Sequence, residues 1–254
     1  MLSRLSQQRK LPLSLRRVEA FADDRDDTTL LSLAALKADF DFAALVELLR
    51  TELDALLSIE LHETASERRR HDGLGWIYCQ VGAHRLRVSH GSFFQVNRHL
   101  PAKLVERVTD GLEGKVALDL FAGVGLFARA LAEKFARVVA VESSHHAAAD
   151  LAANVADSPH VEPRAAGVEE FLQRSPEKCD AAVLDPPRTG LGRDVASALV
   201  ELAPPRIVYL SCDPATLARD LQQLLPAYRL ASLELIDLFP QTFHIESLAR
   251  LERA

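Results

Sequence analysis

From residue 115 onward the sequence alternates between two hydrophobic periods, and that alternation limits the fold more than any other feature. Lys115–Phe121, Arg137–Glu142, His160–Ala166, Ala181–Leu184 and Arg206–Leu210 read as strands. Leu126–Phe135, His145–Ala156, Val168–Arg174, Asp194–Leu202 and Thr216–Leu225 read as the helices between and after them. Strands joined by helical crossovers pair in parallel with helices on both faces, and ligands bind at the carboxyl ends of such strands. Arg229–Leu238 and Ile245–Leu251 have only a short link between them, so an antiparallel hairpin is expected at the sheet edge. The expected class is α/β and Rossmann-like.

The preceding residues read as a small α+β unit. Leu11, Leu13 and Leu15 alternate with polar neighbours as a first strand. This strand reading is preferred to a transit peptide, although the first 18 residues hold Arg and Ser and no acid. The acidic turn Ala22–Asp27 makes a hairpin of residues 1–35. Phe42, Leu45, Val46, Leu49, Leu53, Leu56 and Leu57 trace a helix over 39–57, and Ile59, Leu61, Trp76–Cys79 and Leu86–Val88 mark further strands. The expected division is 1–90, on the substrate or RNA side, and 91–254.

A net charge of −6 argues against tight nonspecific binding to phosphate backbones. Glu67–His71 and the Arg-containing stretch 84–98 could form a local basic face, but charge runs this short read as solvated surface. The cysteines Cys79, Cys179 and Cys212 are odd in number and irregular in spacing. That argues against a disulfide framework, a metal site or an iron–sulfur cluster, and fits a reducing cytoplasm. No apolar run approaches the ~20 residues that span a bilayer. The sequence carries no signal for oligomeric state.

Asp119-Leu120-Phe121-Ala122-Gly123-Val124-Gly125-Leu126 joins the first strand of the alternation to its first helix. Gly123 and Gly125 permit a tight turn and close backbone approach to a ligand. With Ala128 the run also satisfies Gly-x-Gly-x-x-Ala, the relaxed dinucleotide pattern. Glu142, ending the second strand, can accept hydrogen bonds from both hydroxyls of a ribose. Turn and acid together indicate an adenosine-type ligand, dinucleotide or adenosyl.

Val183-Leu184-Asp185-Pro186-Pro187-Arg188-Thr189-Gly190 separates these readings. Two prolines stiffen the loop and remove backbone donors, so Asp185 is held rigidly at the sheet end. A methyltransferase holding a planar nitrogenous ring has a use for this, and a hydride-transfer enzyme has none evident. Ile207–Thr216 then sets Cys212 at a strand end facing a helix start, where thiolate is favoured over thiol. The competing reading is a buried cysteine acting as a small hydrophobe. In Gly91–Asn97, Phe93 or Phe94 could stack on a base and Gln95 could read its edge. The same segment also reads as a packing linker.

Between Phe93 and Glu246 the chain resembles the RNA uracil-5 methyltransferases. The resemblance is carried by Phe94-Gln95-Val96-Asn97, the glycine turn, Asp185–Gly190, Ile207–Thr216 and Ile236-Asp237-Leu238-Phe239-Pro240-Gln241-Thr242-Phe243-His244-Ile245-Glu246. It implies a class I methyltransferase fold, S-adenosylmethionine as cofactor, tRNA or rRNA as partner, and methylation of uridine carbon-5 through a cysteine adduct at carbon-6. It implies Cys212 as nucleophile, Glu246 as general base, and Asp185 as a third catalytic group. Gln95, Phe121, Gly123, Gly125, Glu142 and Asp185 are implied to line the cofactor site, and Phe94, Gln95 and Arg188 the substrate site.

The residues suit that chemistry. Carbon-5 of uracil is a poor nucleophile until a thiolate adds to carbon-6, and a carboxylate must then remove the carbon-5 proton. Phe239, Pro240, Phe243 and His244 surround Glu246 in sequence, and partial desolvation there would raise its basicity. His244 itself reads as packed or hydrogen-bonded. The chain departs from the family in several ways. The RNA-binding β-barrel and four-cysteine cluster of many members are not seen, Leu126 stands where Asn is frequent, and Asp213 follows the nucleophile in place of Asn. Asp213 is expected to raise the thiol pKa. The rival readings are an amino-group methyltransferase with no need of Cys212, a noncatalytic RNA- or cofactor-binding relic, and a nicotinamide oxidoreductase.

Overall fold

The structure is a computed structural model that describes residues 2–8, 10–95, 97–174, 177–242 and 244–254. The motif residues Val96 and Phe243 lie outside the described residues. The chain divides into two compact units, Met1–Ser92 and Phe93–Ala254.

The first unit contains α1 (Leu2–Gln7), β1 (Leu15–Ala22), β2 (Thr29–Ala35), α2 (Phe42–Glu52), β3 (Leu56–Glu63), β4 (Arg68–Asp72), β5 (Trp76–Val81) and β6 (His84–Ser89). The first four strands form a sheet in the order β1-β2-β3-β4, and β5 and β6 form a separate two-stranded ribbon. The hairpin β1–β2 is antiparallel as expected, while α2 carries the chain across to β3, which runs parallel to β2. Asp41 caps α2, accepting from the amides of Ala43 and Ala44. Leu31, Leu33, Leu45, Leu49, Ile59 and Leu61 form this unit's core.

Two sequence expectations fail here. The first strand begins at Leu15, behind a short helix, and Leu13 is exposed. The predicted helix over 39–57 stops at Glu52, because Leu53 is extended and Leu56 opens β3. Its apolar tail satisfies both the helical and the strand period, and pairing with β2 decides the outcome. The run Glu67–His71, read as solvated surface, is exposed or half-buried throughout, and all but Glu67 lies in the edge strand β4. Charged side chains protect such an edge from pairing with another chain.

The second unit runs α3 (Pro101–Thr109), β7 (Gly114–Leu120), α4 (Leu126–Leu131), β8 (Phe135–Glu142), α5 (His145–Asn154), β9 (Val161–Ala165), α6 (Val168–Gln173), β10 (Ala181–Leu184), α7 (Gly192–Leu202), β11 (Arg206–Ser211), α8 (Pro214–Leu224), β12 (Tyr228–Ile236) and β13 (Glu246–Arg253). Its sheet has the order β12-β13-β11-β10-β7-β8-β9. Numbered within the unit, that is 6-7-5-4-1-2-3. The five strands β7 to β11 are parallel, and β13 is antiparallel to both β11 and β12. This is the class I methyltransferase arrangement of a Rossmann-like sheet. The helix predicted to reach Phe135 ends at Leu131, because Phe135 pairs with Gly114 and starts β8. The parallel strands are apolar almost throughout, as burial on both faces requires, and Leu118, Leu120, Leu184, Ile207 and Tyr209 join one core cluster. Among the described residues no helix is long and apolar enough to cross a membrane.

Chain order reverses direction between β7 and β10, the position at which open α/β sheets bind ligands. The loop leaving β10 is fastened from α8. Fully buried Asp220 accepts from the Tyr209 hydroxyl on β11 (2.8 Å), the Leu191 amide (2.8 Å) and the Arg219 guanidinium (2.9 Å). Asp220→Ala would leave a hydroxyl and an amide buried without an acceptor. It is expected to cost ~3–5 kcal/mol in chemical denaturation.

Candidate active site

The site grows from the ends of β7, β8, β10 and β11. Phe121, just beyond β7, has φ +64°, a left-handed conformation that is uncommon for a bulky residue. Gly123 (φ +55°) and Gly125 (φ +91°) complete the turn into α4. A Cβ on Gly125 would lie 2.7 Å from Leu151 Cδ1, so helix packing requires that glycine. A Cβ on Gly123 would meet nothing within 4 Å, so that side of the turn faces open space. Glu142 braces the turn, with Oε2 accepting from the Gly123 amide (2.9 Å) and Oε1 from the Ser144 amide (2.6 Å). Each oxygen retains a lone pair for a further donor.

Asp119, within β7, is the group that sequence reasoning passed over. It is fully buried, and neither carboxylate oxygen has a hydrogen-bond partner among the described residues. Burial, with some repulsion from Glu142, pushes its pKa up to about 7; the backbone amide of Ala128, which makes no full hydrogen bond, only partly offsets this. An acid inside the apolar run Val116-Ala117-Leu118-Asp119-Leu120 was the available signal. An orphaned buried carboxyl beside an open glycine turn suits a ligand that brings a positive charge or a hydrogen-bond donor.

Asp185 leaves β10 with its amide bonded to the Leu120 carbonyl (3.3 Å), which ties two strand ends together. The loop turns back at Gly190 (φ +76°), where a Cβ would strike Asp220 and Thr216 at 2.3 Å. Thr216 Oγ1 donates to the Arg188 carbonyl (3.0 Å), and Arg219 donates to that of Thr189 (2.7 Å). Burial first, then Glu246 and Asp119, raises the Asp185 carboxyl well above the usual carboxylate range.

Cys212 and Glu246 arrive from neighbouring antiparallel strands. Ser211 on β11 pairs with Ser247 on β13, so the residue after one strand and the residue starting the other lie side by side. Glu246 is buried, and that burial raises its pKa against the opposing pull of the Arg188 cation. Half-buried Cys212 is also pushed up, by burial and then by Glu246, with Asp185 adding; Arg188 and a backbone hydrogen bond oppose this. The expected thiolate preference at a helix start is therefore overruled, because desolvation and a neighbouring carboxylate outweigh it. Asp213 caps α8, with Oδ1 accepting the Thr216 amide (2.8 Å), and that bond lowers its own pKa. Asp and Asn cap equally well, so the departure at 213 preserves the helix start. The carboxylates that raise the thiol pKa are Glu246 and Asp185. Leu126, the other departure, is buried.

The structure thus brings Cys212, Glu246, Asp185 and Arg188 to one sheet edge, with Gly123 and Glu142 joined at the neighbouring turn. The Arg188 guanidinium donates to His244 Nδ1 (2.9 Å), and the His244 ring packs edge-on against Phe239 (centroids 5.8 Å apart). Phe94 and Gln95 are half-buried in a segment anchored by Asn97. Asn97 Nδ2 donates to the Leu238 carbonyl (2.8 Å), in the connection between β12 and β13.

A family model described as tRNA (Uracil-5-)-methyltransferase matches residues 168–254. A 23S rRNA (uracil(1939)-C(5))-methyltransferase from Photobacterium angustum is 39% identical over 182 residues, which cover 67% of this chain and 81% of the relative. The chain belongs to the RNA uracil-5 methyltransferase family. An uncharacterised RNA methyltransferase from Streptomyces coelicolor is 43% identical over 212 residues, 80% of this family member and 46% of the relative. The chain spans about half the length of several curated relatives that it matches, between 42% and 49%. The crystal structure of a Pyrococcus abyssi tRNA (uracil-54, C5)-methyltransferase with S-adenosyl-L-homocysteine superposes with TM-score 0.79 at 25% identity, covering 98% of this chain and 65% of that one.

Two expectations follow for this family member. Burial holds the Cys79 and Cys179 thiols up at about 12, so iodoacetamide is expected to alkylate Cys212 first, at a rate rising with pH through and beyond its ordinary 9.0. Glu246→Gln removes a repelling charge and should speed alkylation severalfold at fixed pH, whereas Arg188→Ala should slow it; mass spectrometry of the 212 peptide reads both. Asp119 titrates at about 7, above its ordinary 3.8, so its contribution to stability is full at acid pH and is lost as pH rises through about 7. Asp119→Asn is expected to stabilise the protein by ~1–3 kcal/mol in mildly alkaline buffer and by less in acid, read by thermal unfolding.

Proposed function

We propose that this protein transfers a methyl group from S-adenosylmethionine to carbon-5 of a uridine in tRNA or rRNA. The observation that carries the reading is the adjacency of a cysteine and a buried carboxyl across β11 and β13, at the edge that also holds the glycine turn. A hydride-transfer enzyme has no role for that pair, and an amino-group methyltransferase has no use for the thiol.

On this reading the sulfonium donor supplies a methyl group without its bonding electrons. The chain's residues do the rest. Glu142, braced by two amides, accepts the ribose hydroxyls, and Gly123 leaves room beside them. Buried Asp119 and half-buried Asp185 present carboxyls to the donor's positive end and to a ring N–H of the uracil. Phe121 and Gln95 line the cofactor side, and Phe94 and Arg188 contact the substrate. The target base leaves its stack to enter.

Cys212 thiolate adds to carbon-6, and the ring electrons pass through carbon-5 to the methyl group. Glu246 then takes the carbon-5 proton, the carbon-6–sulfur bond breaks, and the thiolate returns with its electron pair. Desolvation supports the last proton transfer, because a carboxylate of raised pKa is a stronger base. Arg188, drawn toward both anionic groups, limits how far either pKa rises. A reducing cytoplasm would keep the thiol free.

The test is incubation with labelled S-adenosylmethionine and total RNA, with nucleoside analysis of the product. Label is expected in 5-methyluridine, and Cys212→Ala should reduce it to background. Glu246→Gln should slow turnover about 10²–10⁴-fold while a denaturation-resistant protein–RNA adduct accumulates. Label on an exocyclic nitrogen, or full activity in Cys212→Ala, would refute the mechanism.

A further inference from the structure

We propose that the outward face of the β5–β6 ribbon is a stacking platform for single-stranded RNA, made by Trp76, Tyr78, Arg85 and Arg87. This rests on the reading that the substrate is RNA, and it assigns part of the binding to the first unit.

Strand alternation divides the ribbon into two faces. Ile77, Cys79, Val81, Leu86 and Val88 are buried. The intervening residues Trp76, Tyr78, Arg85 and Arg87 occupy the opposite face, where Tyr78 pairs across the ribbon with Arg87 and Trp76 with Ser89. Ile77, Cys79, Val81, Leu86 and Val88 supply the ribbon's buried side, so the two aromatic rings lie on the side away from it. Tyr78 is 37% exposed and Trp76 is half-buried. Their rings meet edge-on with centroids 4.9 Å apart.

Each ring carries a guanidinium. Arg85 lies over Tyr78 at 3.9 Å from the centroid, and Arg87 lies 5.4 Å from that of Trp76. Among the described residues Arg85 makes no ion pair with a carboxylate, so the ring beneath it is what holds the cation in place. Rings and guanidinium planes present flat faces on which bases of any sequence stack, and the cations attract the connecting phosphates. A membrane or double-stranded partner gains less from this combination. Duplex bases are already stacked, and a lipid surface would favour a continuous apolar face.

Charge also sets where the strand stops. Asp24 Oδ1 accepts the Gln80 amide (3.0 Å), which brings the acidic turn Asp23–Asp27 to the far end of β5. Phosphates are repelled there. The chain carries −6 overall, so a local pair of arginines supplies an attraction that its net charge does not.

The full chain would be titrated into a short fluorescent oligouridylate, with anisotropy as readout and duplex RNA for comparison. Tyr78→Ala and Arg85→Ala are each expected to weaken single-strand binding about tenfold, while Tyr78→Phe stays within about twofold. Arg87→Ala should reduce the slope of log affinity against log salt by about 0.7. With unaltered protein, 4-thiouridine in the oligonucleotide should crosslink within residues 76–89. Methylation assayed in parallel should show a raised KM with unchanged kcat in Tyr78→Ala. Wild-type-like binding by Tyr78→Ala and Arg85→Ala, or crosslinks only outside 76–89, would overturn the platform while leaving carbon-5 methylation standing. Equal affinity for duplex RNA, or self-association lost in these variants with RNA affinity intact, would also overturn it. Failure of the methylation reading would appear separately, as absence of 5-methyluridine despite ribbon-dependent binding.

Discussion

The insertion of β13 between β11 and β12 is the constraint on which the site depends. A parallel sheet gathers only the carboxyl ends of its strands at the ligand edge. A strand running the other way brings its amino end there, so Glu246, the first residue of β13, meets the residue that follows β11. Two groups 34 residues apart in sequence thereby become neighbours through one register. Either strand slipped by one residue would turn the carboxyl or the thiol to the opposite face.

Around that pair, desolvation and charge oppose one another. Burial raises Asp119, Asp185, Glu246 and Cys212 alike; Glu246 adds to the rise at Asp185 and Cys212, and Asp119 to that at Asp185. Arg188 pulls Cys212 and Glu246 back. Its loop is held by Thr216, Arg219 and Asp220 on α8, the helix that Asp213 starts immediately after Cys212. Cys212, loop and counter-charge are therefore parts of one strand–loop–helix assembly. A site with more buried acid than buried base is poised for a cationic ligand, and the methyl donor of the proposed reaction is one.

Legibility in the sequence followed the kind of interaction involved. The strands from β7 to β11 were readable because burial on both faces makes them continuous apolar runs between polar breaks. The hairpin β12–β13 was readable from its short link. The boundaries at Leu53, Leu56 and Phe135 were not, since their apolar residues satisfy helix and strand alike and only the pairing partner decides. Arg68–Asp72 looked like surface because an edge strand is surface on one side. Among site residues, Asp185 and Cys212 stood out by local pattern and resemblance. Asp119 had only the oddity of an acid among aliphatics, and its importance comes from burial without a hydrogen-bond partner among the described residues, which sequence does not display. The outward aromatic face of β5 is likewise visible only once the buried side of the ribbon is known.

Sequence by itself determined the alternation of elements, the glycine turn, the stiff Asp-Pro-Pro loop and the residue types offered for chemistry, because these depend on local sterics and periodicity. Tertiary structure alone decided which of those groups meet and how each titrates. Strand order, register and burial set the distance between charges and the water around them, and both arise from contacts between residues far apart in the chain.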